Sequence, residues 1–150
     1  MNFPHRFARA MPFLLAMPLA APAFAQGTIE ELSAPTPVDF ADVREKTDAL
    51  IAEIISGKAA EALRAALSEN PVVAQQTSQI SLVVSQNETV SAEYGKAEQC
   101  VGWKQDYISS LRIMTSYICQ HRDILILWEF AADRLPKGWT YSTIRFNADF

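Results

Sequence analysis

Past Pro37 the apolar residues recur first at helical and then at alternating spacing. Val43, Leu50, Ile51, Ile54 and Ile55 fall on one stripe of a helix. Thr36 is placed to cap it and Pro37 to open it, where a missing N–H costs nothing. Gly57 is its natural stop. A second helix is predicted from about Lys58 to Glu69, with Ala59, Leu63, Ala66 and Leu67 on one side. Asn70-Pro71 then reads as the cap and first turn of a third helix carrying Val73, Ile80 and Val84 on one face. Asn87 to Gly95 reads as a turn followed by a short helical piece.

After Gly95 the pattern changes. Val101–Tyr107, Leu111–Gln120, Asp123–Ala132 and Trp139–Asn147 are dense in β-branched and aromatic residues, with short polar breaks between them. Helices first and sequential hairpins second predict an α+β fold: N-terminal helices packed on one face of a four-stranded, curved antiparallel sheet. Breaks at Ser109-Ser110, at His121-Arg122 and through Leu135, Pro136 and Lys137 would pair Asp106 with Ile113, Gly102 with Tyr117, Tyr117 with Ile126 and Trp128 with Ile144. One face then holds Ile113, Tyr117, Ile124, Ile126, Trp128, Phe130, Ile144 and Phe146, and the helices are its cover. The other face would carry Trp103, Tyr107, Arg112, Met114, Leu125, Leu127, Glu129, Trp139, Tyr141 and Arg145. A one-residue slip in the last loop would exchange the faces of the final strand.

The N-terminus changes the expected compartment. Arg6 and Arg9 precede an apolar run from Ala10 to Ala21, and Ala23-Phe24-Ala25 offers the small-x-small pattern of signal peptidase. Residues 1–25 are therefore expected to be a signal peptide cleaved before Gln26, residues 26–36 a flexible lead-in, and residues 37–150 a single domain. The alternative is an uncleaved anchor. Cleavage removes two of 13 basic residues and none of 17 acidic ones, so the balance moves from −4 to 11 − 17 = −6. No Lys/Arg cluster remains to suggest nucleic acid. The expected location is periplasmic or secreted, with no integral membrane span after cleavage.

In an oxidising compartment the two cysteines are expected to be bridged. A Cys100–Cys119 bridge is centred between Ser109 and Ser110, where the first strand break falls on other grounds. Two buried free thiols are the alternative.

The chain ends on Trp128-Glu129-Phe130, a Pro136-Lys137-Gly138-Trp139 turn, and Ile144-Arg145-Phe146-Asn147. This resembles the terminal hairpin of small exported members of the nuclear-transport-factor-like superfamily, whose fold is a cystatin-like α+β roll. The resemblance implies a roll over roughly Val38 to Phe150. It implies no single activity, because the superfamily spans isomerases, dehydratases and secretion-system components.

Candidate chemistry is sparse. His121 falls in a turn, and there is no nucleotide-binding or zinc motif, so no cofactor and no metal are expected. Glu129 lies between Trp128 and Phe130, where desolvation would suit a carboxylate to acid–base work with Tyr107 or Tyr141. The competing reading pairs Glu129 with Arg145 or Arg112 on a half-exposed sheet. Trp103, Tyr107, Arg112, Trp139, Tyr141 and Arg145 have the composition of an interface, of a pocket wall, or of a surface buried under the lead-in. The favoured expectation is a non-catalytic binding or assembly module, a homodimer or the docking site of a protein partner. The alternative is an isomerase- or dehydratase-like enzyme using Glu129 and a Tyr.

Overall fold

The computed structural model describes residues 37–148. The expected signal peptide, the expected lead-in and the expected Thr36 cap lie outside the described residues. Three helices precede one antiparallel sheet, as the pattern predicts. They are α1 (Pro37–Ile55), α2 (Ala59–Ser68) and α3 (Thr77–Tyr94), followed by β1 (Gln99–Ser109), β2 (Arg112–Gln120), β3 (Leu125–Leu135) and β4 (Gly138–Asn147). The strands pair in sequence order, β1-β2-β3-β4. Among the described residues no helix is long and apolar enough to cross a membrane.

Helix α1 stops as its sequence dictates. Gly57 takes φ +88°, a region costly for any side chain. Lys58 N–H then donates to Glu53 O at 3.0 Å and Gly57 N–H to Ile54 O at 3.1 Å, which is the paired closure of a Schellman turn. Helix α2 buries Ala59, Leu63, Ala66 and Leu67, the stripe read from the sequence.

The third helix differs from expectation at both ends. Asn70 Oδ1 does accept from the N–H groups of Val72 and Val73, at 3.0 and 3.3 Å. What it caps is a separate 3-10 turn, Val73–Gln75, and α3 begins only at Thr77. The helix then runs without a break to Tyr94, where a turn was expected from Asn87. The reason is that Asn87 extends the buried stripe of Ile80 and Val84 at helical spacing, itself only 4% exposed. Its polarity hides its place in the pattern.

The sheet keeps the expected alternation while its register moves. Gly102 faces Tyr117 and Cys100 faces Cys119, as the cysteine pairing requires. Toward the turn β1 carries two extra residues, Trp103 and Ile108, so Asp106 faces Met114 rather than Ile113 and the turn is Ser110-Leu111. Between β2 and β3 the pairing is shifted by two: Tyr117 faces Trp128, and Cys119 faces Ile126. A two-residue shift preserves the faces. Between β3 and β4, Phe146 faces Trp128 and Ile144 faces Phe130. An extra residue, Ser142, then reverses the parity of everything before it in β4.

The core forms where the expected apolar face meets the helices. Ile113, Tyr117, Ile126, Trp128, Phe130 and Ile144 are buried, with Ile124 and Phe146 packed against them. Helix α1 lies on β1 and β2, and α2 lies on β4. Polar atoms join the layers: Thr47 Oγ1 and Tyr141 OH are 3.0 Å apart, and Tyr117 OH donates to Asp48. Gly102 leaves room for the Arg44 guanidinium, since a Cβ there would lie 2.9 Å from Nη2. Arg44 in turn lies 5.8 Å from the centre of the Tyr117 ring.

Cys100 and Cys119 are joined across β1 and β2, with Cα atoms 4.0 Å apart and 19 residues of separation. In the chain-entropy account a loop of this length is worth about 3 kcal/mol. Denatured, unreduced protein is thus expected to expose no reactive thiol. Reduction should lower the stability extracted from urea unfolding by about that amount. Two labelled thiols per chain before reduction would contradict it.

Candidate functional site

Because side chains alternate, the residues beside the buried ones project from the sheet away from the helices. One row across the strands is Val101, Ile118, Leu127 and Asn147; the next is Lys104, Ser116, Glu129 and Arg145; the third is Asp106, Met114, Ala131 and Thr143. No described helix lies over this face. Val101 and Leu125 are 56% and 49% exposed there. Leu127 and Ala131 are buried by their neighbours, and Ile118 and Met114 are half-buried.

The charged residues of the face satisfy one another. Arg145 Nε donates to Glu129 Oε2 at 2.7 Å from the directly opposed position. Arg112 forks onto Asp133 with bonds of 2.6 and 2.7 Å. Lys104 and Asp106 pair at 2.7 Å. The bond from Arg112 holds the Asp133 carboxyl below its ordinary range despite partial burial. The same pairings raise Arg112 and Arg145 above the usual guanidinium value. Such pairs contribute little to stability, but they leave no charge on the face without a partner.

Three of the four aromatic residues expected here are elsewhere. The extra residue Trp103 turns Tyr107 to the helix side, opposite Ile113, with its ring 5.8 Å from that of Phe40. The extra residue Ser142 does the same to Tyr141, which is 1% exposed. Trp139 follows it: half-buried, its ring lies under the Arg134 guanidinium at 5.6 Å, and its carbonyl accepts from Lys46 at 3.0 Å. Trp103 itself remains 57% exposed on its bulge. Of the six residues expected to share this face, Arg112 and Arg145 do so. Val101, Ile118, Lys104, Asp106 and Asp133 were missed, although Val101 and Ile118 follow by one step from the Cys100–Cys119 pairing.

The enzyme alternative requires Glu129 to meet Tyr107 or Tyr141, and the sheet stands between them. Glu129 faces Arg145 on the uncovered side, the pairing that the competing reading named. Burial pushes the Tyr141 phenol up to about 12, with the Glu69 and Asp48 charges adding to it against the opposing Thr47 bond. Burial, then the bond to Asp48, raises Tyr117 further still. A phenol raised in this way is a weaker proton donor at neutral pH. Among the described residues no three His, Cys, Asp or Glu side chains gather to hold a metal ion.

These shifts set an alkaline limit. Both phenols have folded values above their unfolded ones, so their stabilisation is complete below about pH 10 and is lost as pH rises toward the folded values. In a tyrosinate absorbance titration, the last two of the four tyrosines should ionise only as the fold is lost. Tyr141→Phe should remove one late ionisation and cost about 1 kcal/mol at neutral pH. Ionisation of all four near pH 10 with the circular dichroism intact would contradict this.

Compared with known protein families, with curated proteins and with solved structures, the chain finds no significant match.

Proposed function

We propose that the chain is an exported, non-catalytic assembly module whose uncovered sheet face seats a second copy of itself. The observation that carries this reading is the electrical closure of that face. Three cations and three anions pair within it, on a chain whose net charge is −4 and would be −6 after signal cleavage. The excess negative charge therefore lies on the rest of the chain, and two copies of this neutral face can meet without bringing like charge together.

Size supports the same reading. Four strands about 4.8 Å apart and nine residues long cover on the order of 600 Å² in projection, close to the roughly 800 Å² that each partner of a stable interface contributes. Val101, Leu125, Ile118 and Met114 supply its apolar part, with Trp103 exposed on the adjoining bulge. The order of helices before a four-stranded antiparallel sheet, together with the Trp128-to-Asn147 hairpin, supports placing the chain with small exported nuclear-transport-factor-like proteins. The bridged cysteine pair fits an oxidising compartment.

Sedimentation should find a dimer at micromolar concentration. Val101→Arg with Leu125→Arg should raise its dissociation constant at least tenfold without changing the circular dichroism. A wild type that stays monomeric at high concentration would remove the self-association reading. Processing is checked separately. Protein recovered from an exporting bacterial host should have the mass of a chain beginning at Gln26, as such or with that Gln cyclised. Full-length chain in the membrane fraction would count against export.

A further inference from the structure

The three helices do not cover the sheet equally. Helix α1 lies on β1 and β2, and α2 lies on β4, while α3 packs chiefly on α2 and on the 3-10 turn before it. Between α3, the start of β3 and the end of β4 a groove of about 380 Å³ remains on the helix side. That volume falls within the range of small-molecule sites. Val90, Ile124 and Phe146 pack on the core without being fully buried, and all three border the groove.

One wall follows from the spacing along α3. Gln86, Val90 and Tyr94 recur at intervals of four and so share one line of the helix, about 12 Å long. Thr89 stands beside them. The facing wall is apolar, made by Ile124, Ile126 and Phe146. Trp128 backs the Phe146 ring at 4.5 Å between centroids, which holds that wall in place. Asn147 borders the groove from β4, but alternation sends its side chain to the opposite face with Leu127.

The polar groups are thus gathered on the α3 lip, where Gln86 and Thr89 are exposed. The Thr89 hydroxyl donates to Ser85 O at 2.9 Å, which leaves its oxygen to accept. The Gln86 carboxamide can both donate and accept. Among the described residues no charged side chain lines the groove. A carboxylate or ammonium drawn into it would lose water without meeting a counter-charge.

We propose that this groove binds a neutral amphiphile, a straight hydrocarbon chain ending in a carboxamide or hydroxyl. The chain lies between Val90 and the wall of Ile124, Ile126 and Phe146, and the head group exchanges hydrogen bonds with Gln86 and Thr89. The site is on the helix side and depends neither on the uncovered face nor on self-association.

The probe is octanamide, titrated into protein carrying ¹³C-labelled isoleucine methyl groups. The Ile124 and Ile126 resonances should move saturably, while that of Ile108, exposed near the far end of β1, should not. Octanoate, of equal length but charged at neutral pH, should bind at least tenfold more weakly. Hexanamide, two methylenes shorter, should bind about fivefold more weakly. Gln86→Lys, at an exposed position where the fold is indifferent, should strengthen octanoate several-fold without strengthening octanamide. No saturable movement up to about 1 mM would overturn the proposal. Equal affinity for octanoate, or octanoate binding unmoved by Gln86→Lys, would overturn it as well. So would movement of the same methyl groups on dilution without ligand, which would assign the groove to a second copy. Binding seen only after removal of Asp149 and Phe150 would assign it to the chain's own end, and would overturn the proposal equally.

Discussion

Phe130 is wholly buried, and three other rings lie around it, Tyr141 at 5.9 Å, Trp128 at 6.0 Å and Tyr117 at 6.1 Å between centroids. These rings come from β2, β3 and β4, so the cluster forms only when all three strands are in one register. Rings of this size account for much of the apolar area a small core can bury. The two-residue shift between β2 and β3 keeps every member on the same side. The extra Ser142 in β4 then brings Tyr141 under the helices beside Ile144. Without that residue Tyr141 would project to the uncovered face, and Thr47 would lose its partner across the layers.

This division of rings decides the character of the second face. With Tyr107, Trp139 and Tyr141 drawn to the helix side, the uncovered face keeps aliphatic residues and charges matched across strands. A general acid or base there would need a pocket to desolvate it and a second functional group beside it. Glu129 has Arg145 instead, and the nearest tyrosines are on the far side of the sheet. A surface closed in this way is poorly suited to acid–base chemistry and well suited to contact, because covering it leaves no charge newly unpaired. On the helix side, the polar atoms mostly answer one another between layers. Thr47 meets Tyr141, Asp48 meets Tyr117, and Arg134 reaches Asp39 at 3.0 Å. Among the described residues His121 Nε2, Trp128 Nε1 and Thr140 Oγ1 are the buried side-chain atoms left without a partner.

What could be read from the sequence follows from how each signal is encoded. Helical and alternating periods depend on side-chain chemistry alone, so α1, α2 and the eight residues of the covered face were legible before any pairing was known. The Schellman turn at Gly57 and the cysteine pairing were legible for the same reason, since each rests on a residue type with few alternatives. An extra residue in a strand leaves no such mark. Trp103 and Ser142 have nothing in their chemistry that excludes them from regular pairing, and parity beyond them was read as if the ladders were regular. That single cause misplaced Tyr107, Trp139 and Tyr141, and with them the composition of the candidate interface. Asn87 failed for the opposite reason. Its chemistry signals a turn, yet its spacing from Ile80 and Val84 places it inside α3, and there the spacing governs. His121 was correctly placed between strands, but its burial was not legible, because exposure depends on what neighbouring segments fold over a turn. Here the segment is the one at Gly95, whose carbonyl both buries the ring and fixes its proton. The contact that hides the histidine from the sequence is thus a tertiary one, between a turn and a segment 26 residues before it.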